Sequence, residues 1–106
     1  MIRINYRIKE GELKVYLQDE IDQHSAAGIR DFIDTLLDKH EMISKLVFDL
    51  SKVTFMDSSG IGVILGRYKL MKHRRGRIDI ENPTASVKKV LKIAGIYSLV
   101  EDSRVS

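Results

Sequence analysis

Apolar and polar residues alternate through positions 2 to 8, IRINYRI, and a β-prone stretch follows at 13 to 17, LKVYL, after the polar KEGE. This period of two predicts a pair of strands joined as an antiparallel hairpin that turns at Glu10 and Gly11. The period then changes. Ile29, Phe32, Ile33, Leu36 and Leu37 recur at three- and four-residue spacing, one face of a helix, with Asp22 or Ser25 in its cap region. KLVFDL at 45 to 50 is an almost unbroken apolar run of strand length, which predicts a central strand covered on both faces. From Ser58 a second helix carries Ile61, Ile64, Leu65, Tyr68 and Met71 inward and ends near Arg75 and Gly76, glycine tolerating a left-handed exit. A short strand, RIDIEN, follows. Pro83 then opens a third helix in its first turn, with Val87, Val90 and Leu91 facing inward and Gly95 closing it. The segment IYSLV takes no assignment from its pattern. The order β-β-α-β-α-β-α predicts one α/β domain over residues 1 to 106, its sheet parallel from residue 45 onward by right-handed crossovers.

Composition narrows the function. With 106 residues, 43% of them hydrophobic and one proline, the chain has a single core and no room for a second domain. No apolar run is long enough to cross a bilayer and the N-terminus lacks a signal-peptide core, so the expectation is a cytoplasmic protein without a membrane partner. The absence of cysteine excludes disulfides, thiol nucleophiles and cysteine metal sites. The three histidines, His24, His40 and His73, are scattered, and Asp31, Asp34 and Asp38 are spaced as a solvated helix face would space them, so no metal site is expected. Net charge is only +3, but Arg67, Lys69, Lys72, Arg74, Arg75 and Arg77 form a basic run without an acidic interruption. A nucleic-acid-binding module using this cluster is one reading. Against it, cations suit a helix C-terminus and no aromatic platform is interleaved with them.

The informative stretch is VTFMDSSGIGVILGRYK, residues 53 to 69. Asp57, Ser58 and Ser59 are good cap residues at the strand-to-helix turn. Gly60 and Gly62 are not helix formers, each costing about 1 kcal/mol relative to alanine. Small residues and a serine hydroxyl at a helix start would give an added phosphate both donors and a favourable dipole. An ordinary cap, with glycines admitting neighbouring side chains, explains the same residues, and on their chemistry alone it is the preferred explanation. The stretch is not a nucleophile elbow, since its glycines only follow the serines, and it is not a phosphate loop, since no Lys-Ser or Lys-Thr follows Gly66.

FMDSSGIGVILGRYK is, however, similar to the signature of the anti-sigma factor antagonists, which carry the STAS domain, and most closely to their sporulation sigma-F branch. LQDEIDQHSA, 17 to 26, resembles the L-x-G-E-L-D-x-x-T-A segment of that family, and NPTASVKKVLKIAGI, 82 to 96, resembles its third-helix segment. The resemblance covers almost the whole chain. It implies a single STAS domain with a mixed β-sheet, an N-terminal hairpin plus parallel strands, and helices packed against it.

It also implies a binding switch with no catalytic residues. The unphosphorylated protein binds an anti-sigma factor that is also a serine kinase, and this frees the sigma factor. The kinase phosphorylates the first serine of Asp-Ser-Ser-Gly, here Ser58, and a serine phosphatase restores it. Partner binding falls to Asp57, Ser58, Ser59 and Gly60, with Glu20 and Asp22 matching the acidic positions of a loop near the phosphorylated serine. ATP or ADP belongs to the kinase, no cofactor is expected here, and the free protein is expected to be a monomer. A general stress sigma pathway is the alternative within the family. Two departures stand out: Asp19 occupies a position where the family usually has glycine, and the chain ends at EDSRVS, short of an expected final helix.

Overall fold

Four strands and four helices account for most of the computed structural model, which describes residues 4–104. Ile2 and Arg3, part of the expected first strand, and Val105 and Ser106 lie outside the described residues. Strand β1 (Asn5–Lys9) pairs antiparallel with β2 (Glu12–Ile21), and the hairpin turns at Glu10 and Gly11, both with positive φ. Helix α1 (Ala26–Lys39) leads to β3 (Lys45–Met56), which lies parallel to β2. Helix α2 (Ser58–His73) leads to β4 (Arg77–Glu81), parallel to β3. The sheet order is β1-β2-β3-β4. Helices α3 (Ala85–Ile93) and α4 (Ile96–Arg104) complete the chain.

The period-two geometry of β3 decides its two sides. Leu46, Phe48 and Leu50 are fully buried and join the core with Ile33 and Leu37 of α1, Ile64 and Met71 of α2, Leu91 of α3 and Ile96 of α4. Val47 and Asp49 face the other way. There Lys14 of β2 pairs with Glu81 of β4 and lies over the Tyr16 ring, while Lys45 pairs with Glu12. Asp49 is 6% exposed, accepting from the Ser51 hydroxyl and amide and from the Asn82 side chain. Burial pushes its carboxyl up, but those hydrogen bonds outweigh it and hold the group below its ordinary range.

Several expectations need correction. Strand β2 runs to Ile21 and β3 to Met56, well past residues 17 and 50, because they pair with each other through two irregularities, between Tyr16 and Gln18 and between Asp19 and Glu20. Thr84, not Pro83, starts α3: its hydroxyl accepts from the Val87 amide. Val90 is only half-buried. At the end of α2 the left-handed residue is Arg75, while Gly76 serves a close contact with Ser44. On α2 itself Leu65 is exposed, and Val63 and Arg67 are buried instead, because the helix meets α1 and α4 as well as the sheet.

The unassigned IYSLV begins α4, so a terminal helix is present. Ser103 Oγ accepts from the Ile78 amide at 3.3 Å and donates to the Val100 carbonyl at 2.8 Å, which ties α4 to the outer edge of β4 at Ile78. Tyr68 of α2 donates to Asp102, and Lys72 bonds the same carboxylate at 3.1 Å.

Candidate functional site

The parallel crossovers place the C-terminal ends of β2 and β3 side by side, and both turns that leave them meet there. Ile21 pairs with Met56, and the Asp57 amide donates to the Ile21 carbonyl at 3.3 Å. The segments holding Glu20 and Asp22 on one side and Asp57 to Gly60 on the other are therefore neighbours in space, although more than thirty residues separate them in the chain.

Asp57 is the N-cap of α2. Its carboxylate accepts from the Ser59 amide at 2.8 Å and, more weakly, from the Gly60 amide at 3.4 Å. Two of the amides that a phosphate on Ser58 would have found at the helix start are thus already taken. Ser58 is exposed in the first turn, and no hydrogen bond ties its hydroxyl to the described residues. A phosphate here would stand beside a carboxylate and project into solvent.

The two glycines after the serines have different reasons. Gly60 is buried: a Cβ there would stand 2.6 Å from Met56 Cγ, 3.0 Å from Ile21 Cγ2 and 3.2 Å from the Ile21 carbonyl oxygen. It lets α2 start directly on the β2–β3 pair, and this packing by itself requires the glycine. Gly62 is exposed, with nothing within 4 Å of where its Cβ would be. No contact within the fold requires it.

The 20 to 25 turn is held by its own side chains. Asp22 Oδ1 accepts from the His24 amide at 2.8 Å and from the Ser25 amide at 3.2 Å, and these bonds hold its carboxyl below the ordinary range. Ser25 Oγ donates to the Glu20 carbonyl at 3.0 Å and accepts from the Asp22 amide at 3.1 Å. Ser25 is the N-cap residue of α1 by position, yet its side chain makes no capping bond to the helix. Asp22 therefore shapes the turn, while Glu20 is left exposed on it.

Asp19 has φ 63°, the left-handed region in which glycine is unstrained. The loop geometry suited to glycine is thus kept at the expense of strain in an L-residue. Asp19→Gly is expected to raise stability by about 0.5–1 kcal/mol, read as a higher urea midpoint with an unchanged slope.

The basic run from Arg67 to Arg77 does not form one surface. Arg67 is 7% exposed and its Nε lies 3.1 Å from Asp34 Oδ1 of α1. Arg74 donates to the carbonyls of Leu37 and Glu41 at the end of α1, and Lys72 is held by Asp102. Three of the six cations thus point to different neighbours, which weakens the nucleic-acid reading. Asp34, expected on a solvated face, is partly buried in the α1–α2 contact. All three histidines are exposed.

Phe55 was legible in the sequence only as the end of an apolar approach. It is 47% exposed on β3, opposite Glu20. Among the described residues no helix is long and apolar enough to cross a membrane.

The STAS domain model matches residues 3–105. The chain is 31% identical over 99 residues to an anti-sigma F factor antagonist of Paenibacillus polymyxa, a match covering 93% of this chain and 84% of that protein. To an anti-sigma-B factor antagonist of Bacillus subtilis (strain 168) it is 29% identical over 105 residues, covering 99% and 94%. The anti-sigma factor antagonist SpoIIAA in its unphosphorylated form matches with TM-score 0.79 at 27% identity, over 89% of this chain and 82% of that one. SpoIIAA of Bacillus in the phosphorylated form matches with TM-score 0.73 at 26% identity, over 92% and 87%. With the domain matched over nearly the whole chain and a relative 31% identical over 93% of it, this chain belongs to the STAS-domain family of anti-sigma factor antagonists.

Proposed function

We propose that this chain is a regulated binding module whose unphosphorylated form binds an anti-sigma factor with serine kinase activity and so releases a sigma factor. Phosphorylation of Ser58 ends that binding and a serine phosphatase restores it. The module needs no cofactor of its own, since ATP or ADP is held by the kinase. The observation that carries this reading is the state of Ser58: exposed at the start of α2, its hydroxyl unengaged, with the adjacent helix amides already capped by Asp57. A phosphate adds about 1.5 to 2 negative charges at neutral pH. With the Ser59 and Gly60 amides already held by Asp57, the charge faces whatever docks on this surface, together with Asp57 and Glu20. The similarity of this fold to both forms of SpoIIAA supports a switch that leaves the fold in place.

Sporulation sigma-F control is the pathway we favour, in line with the Paenibacillus relative. A general stress pathway is the second reading, supported by the similarity to the Bacillus subtilis anti-sigma-B antagonist over 99% of this chain.

The test is intact mass before and after incubation with an anti-sigma kinase of each type and Mg-ATP. Wild type should gain one phosphoryl group from the cognate kinase and Ser58→Ala none. Ser58→Asp should bind that kinase about 30-fold more weakly than wild type, as expected for like charges brought together in an interface. Equal binding by Ser58→Asp would remove the electrostatic account of the switch, and phosphate on Ser58→Ala would remove the site assignment.

A further inference from the structure

Among the described residues, strand β1 pairs no further than Asn5 with Tyr16, and β4 no further than Glu81 with Asp49. Beyond those rows β2 and β3 stay paired with each other as far as Ile21 and Met56, and no other described strand flanks them. Residues paired across neighbouring strands share a face. Ile21 and Met56 are buried on the inner face, under Gly60, while Glu20 and Phe55 are paired and exposed.

Phe55 differs from the other aromatic residues. Phe48 is in the core, Tyr6 and Phe32 meet edge to face at 5.6 Å between centroids, Tyr16 lies under Lys14, Tyr68 bonds Asp102, and Tyr97 packs against the core. Phe55 makes no ring or cation contact with the described residues, and half of it faces solvent. The carboxylates near it along the two strands outnumber the one nearby cation, Lys52. Residues 17–22 and 53–60 hold Asp19, Glu20, Asp22 and Asp57 and not one cation. An exposed aromatic ring within a polar rim has the composition of an interface centre, where a ring that becomes fully desolvated dominates the affinity.

We infer that Phe55 is the apolar anchor of the partner surface, and that the protein docked on it presents an apolar socket edged with lysine or arginine. This rests on the reading of the Ser58 region as a partner site. The socket supplies the burial that the fold denies the ring, and its cationic edge meets Glu20 and Asp19. Gly62, without a side chain, lets the partner lie close to the first turns of α2. A phosphate on Ser58, three residues from the anchor, alters the charge that this edge is matched to.

The experiment is calorimetric titration of wild type, Phe55→Ala and Phe55→Lys into the kinase found by the mass assay, with Mg-ADP so that no phosphoryl group moves, and with thermal melts of each variant. Phe55→Ala should bind about 30-fold more weakly or worse. Phe55→Lys covers the ribbon with an aliphatic stem but places a cation against a cationic edge, and it should lose more. Both should melt within a few degrees of wild type, because half of the ring already faces solvent. Binding of either variant within threefold of wild type overturns the anchor while leaving the Ser58 reading intact. No binding by wild type overturns both. If Phe55→Ala lowers the melting temperature, Phe55→Lys decides: an intact fold with lost binding supports the anchor, and an unfolded Phe55→Lys overturns it in favour of a structural role.

Discussion

Gly76→Ala lowers the stability of the domain by about 2–3 kcal/mol, as expected for overpacking that backbone must relieve. A Cβ at position 76 would stand 2.7 Å from the Ser44 carbonyl oxygen and 3.2 Å from its carbonyl carbon, as well as 2.7 Å from Met71 Cε. The methionine end can rotate away, but the Ser44 carbonyl cannot move freely because it accepts from the Arg77 amide at 2.9 Å at the entry to β4. The Gly76 amide is itself bonded to the Met71 carbonyl at 2.7 Å. Relief therefore comes from parting the first residues of β3 and β4. Urea unfolding of the variant checks this, and a midpoint equal to wild type would show that the strand ends yield without cost. Ser58 lies at the opposite ends of the parallel strands, so phosphorylation of the folded variant should persist.

Arg67→Ala is expected to cost about 2–4 kcal/mol, somewhat less than the roughly 3–5 kcal/mol for breaking a fully buried ion pair from one side, because the Asp34 side chain is 32% exposed. Arg67 is almost fully buried, and its Nε approaches Asp34 to 3.1 Å without the alignment of a hydrogen bond. Burial pushes the Asp34 carboxyl above its ordinary range, and the attraction of Arg67 opposes that rise. A carboxyl raised in the fold is destabilising when ionised, so the cost is present at neutral pH and is relieved as the pH falls through the folded value. Removing Arg67 takes away the opposing attraction and raises Asp34 further. The deficit of Arg67→Ala should accordingly be largest near pH 7 and shrink toward pH 5. Asp34→Leu with Arg67→Met should recover most of the loss, because apolar side chains of similar volume leave no uncompensated charge. A double variant as unstable as the single one would locate the effect in lost packing and not in the pair.

Arg67 also shows where reading the chain reaches its limit. In the sequence it opens a basic run, and nothing local separates it from Lys69 two residues later. Its burial follows from α1 lying against α2, which brings Asp34 within reach from 33 residues away. Arg74 is similar: its bonds to the Leu37 and Glu41 carbonyls exist only because the end of α1 is beside it. The terminal helix was missed for a related reason. IYSLV is too short to show a period, and α4 is fixed by burial of Ile96 and Val100 and by Ser103 bonding the β4 edge.

By itself the sequence determined the hairpin, the order of strands and helices up to residue 95, and the serine at the start of the second helix, because each depends on period, capping chemistry or backbone freedom within a few residues. Only the tertiary structure decided which charges are internal, why Gly60 is glycine while Gly62 has no partner within the fold, and that Glu20 and Phe55 share one exposed face. Those properties depend on which distant segments a crossover places side by side, and the pairing of Ile21 with Met56 is set by the sheet as a whole.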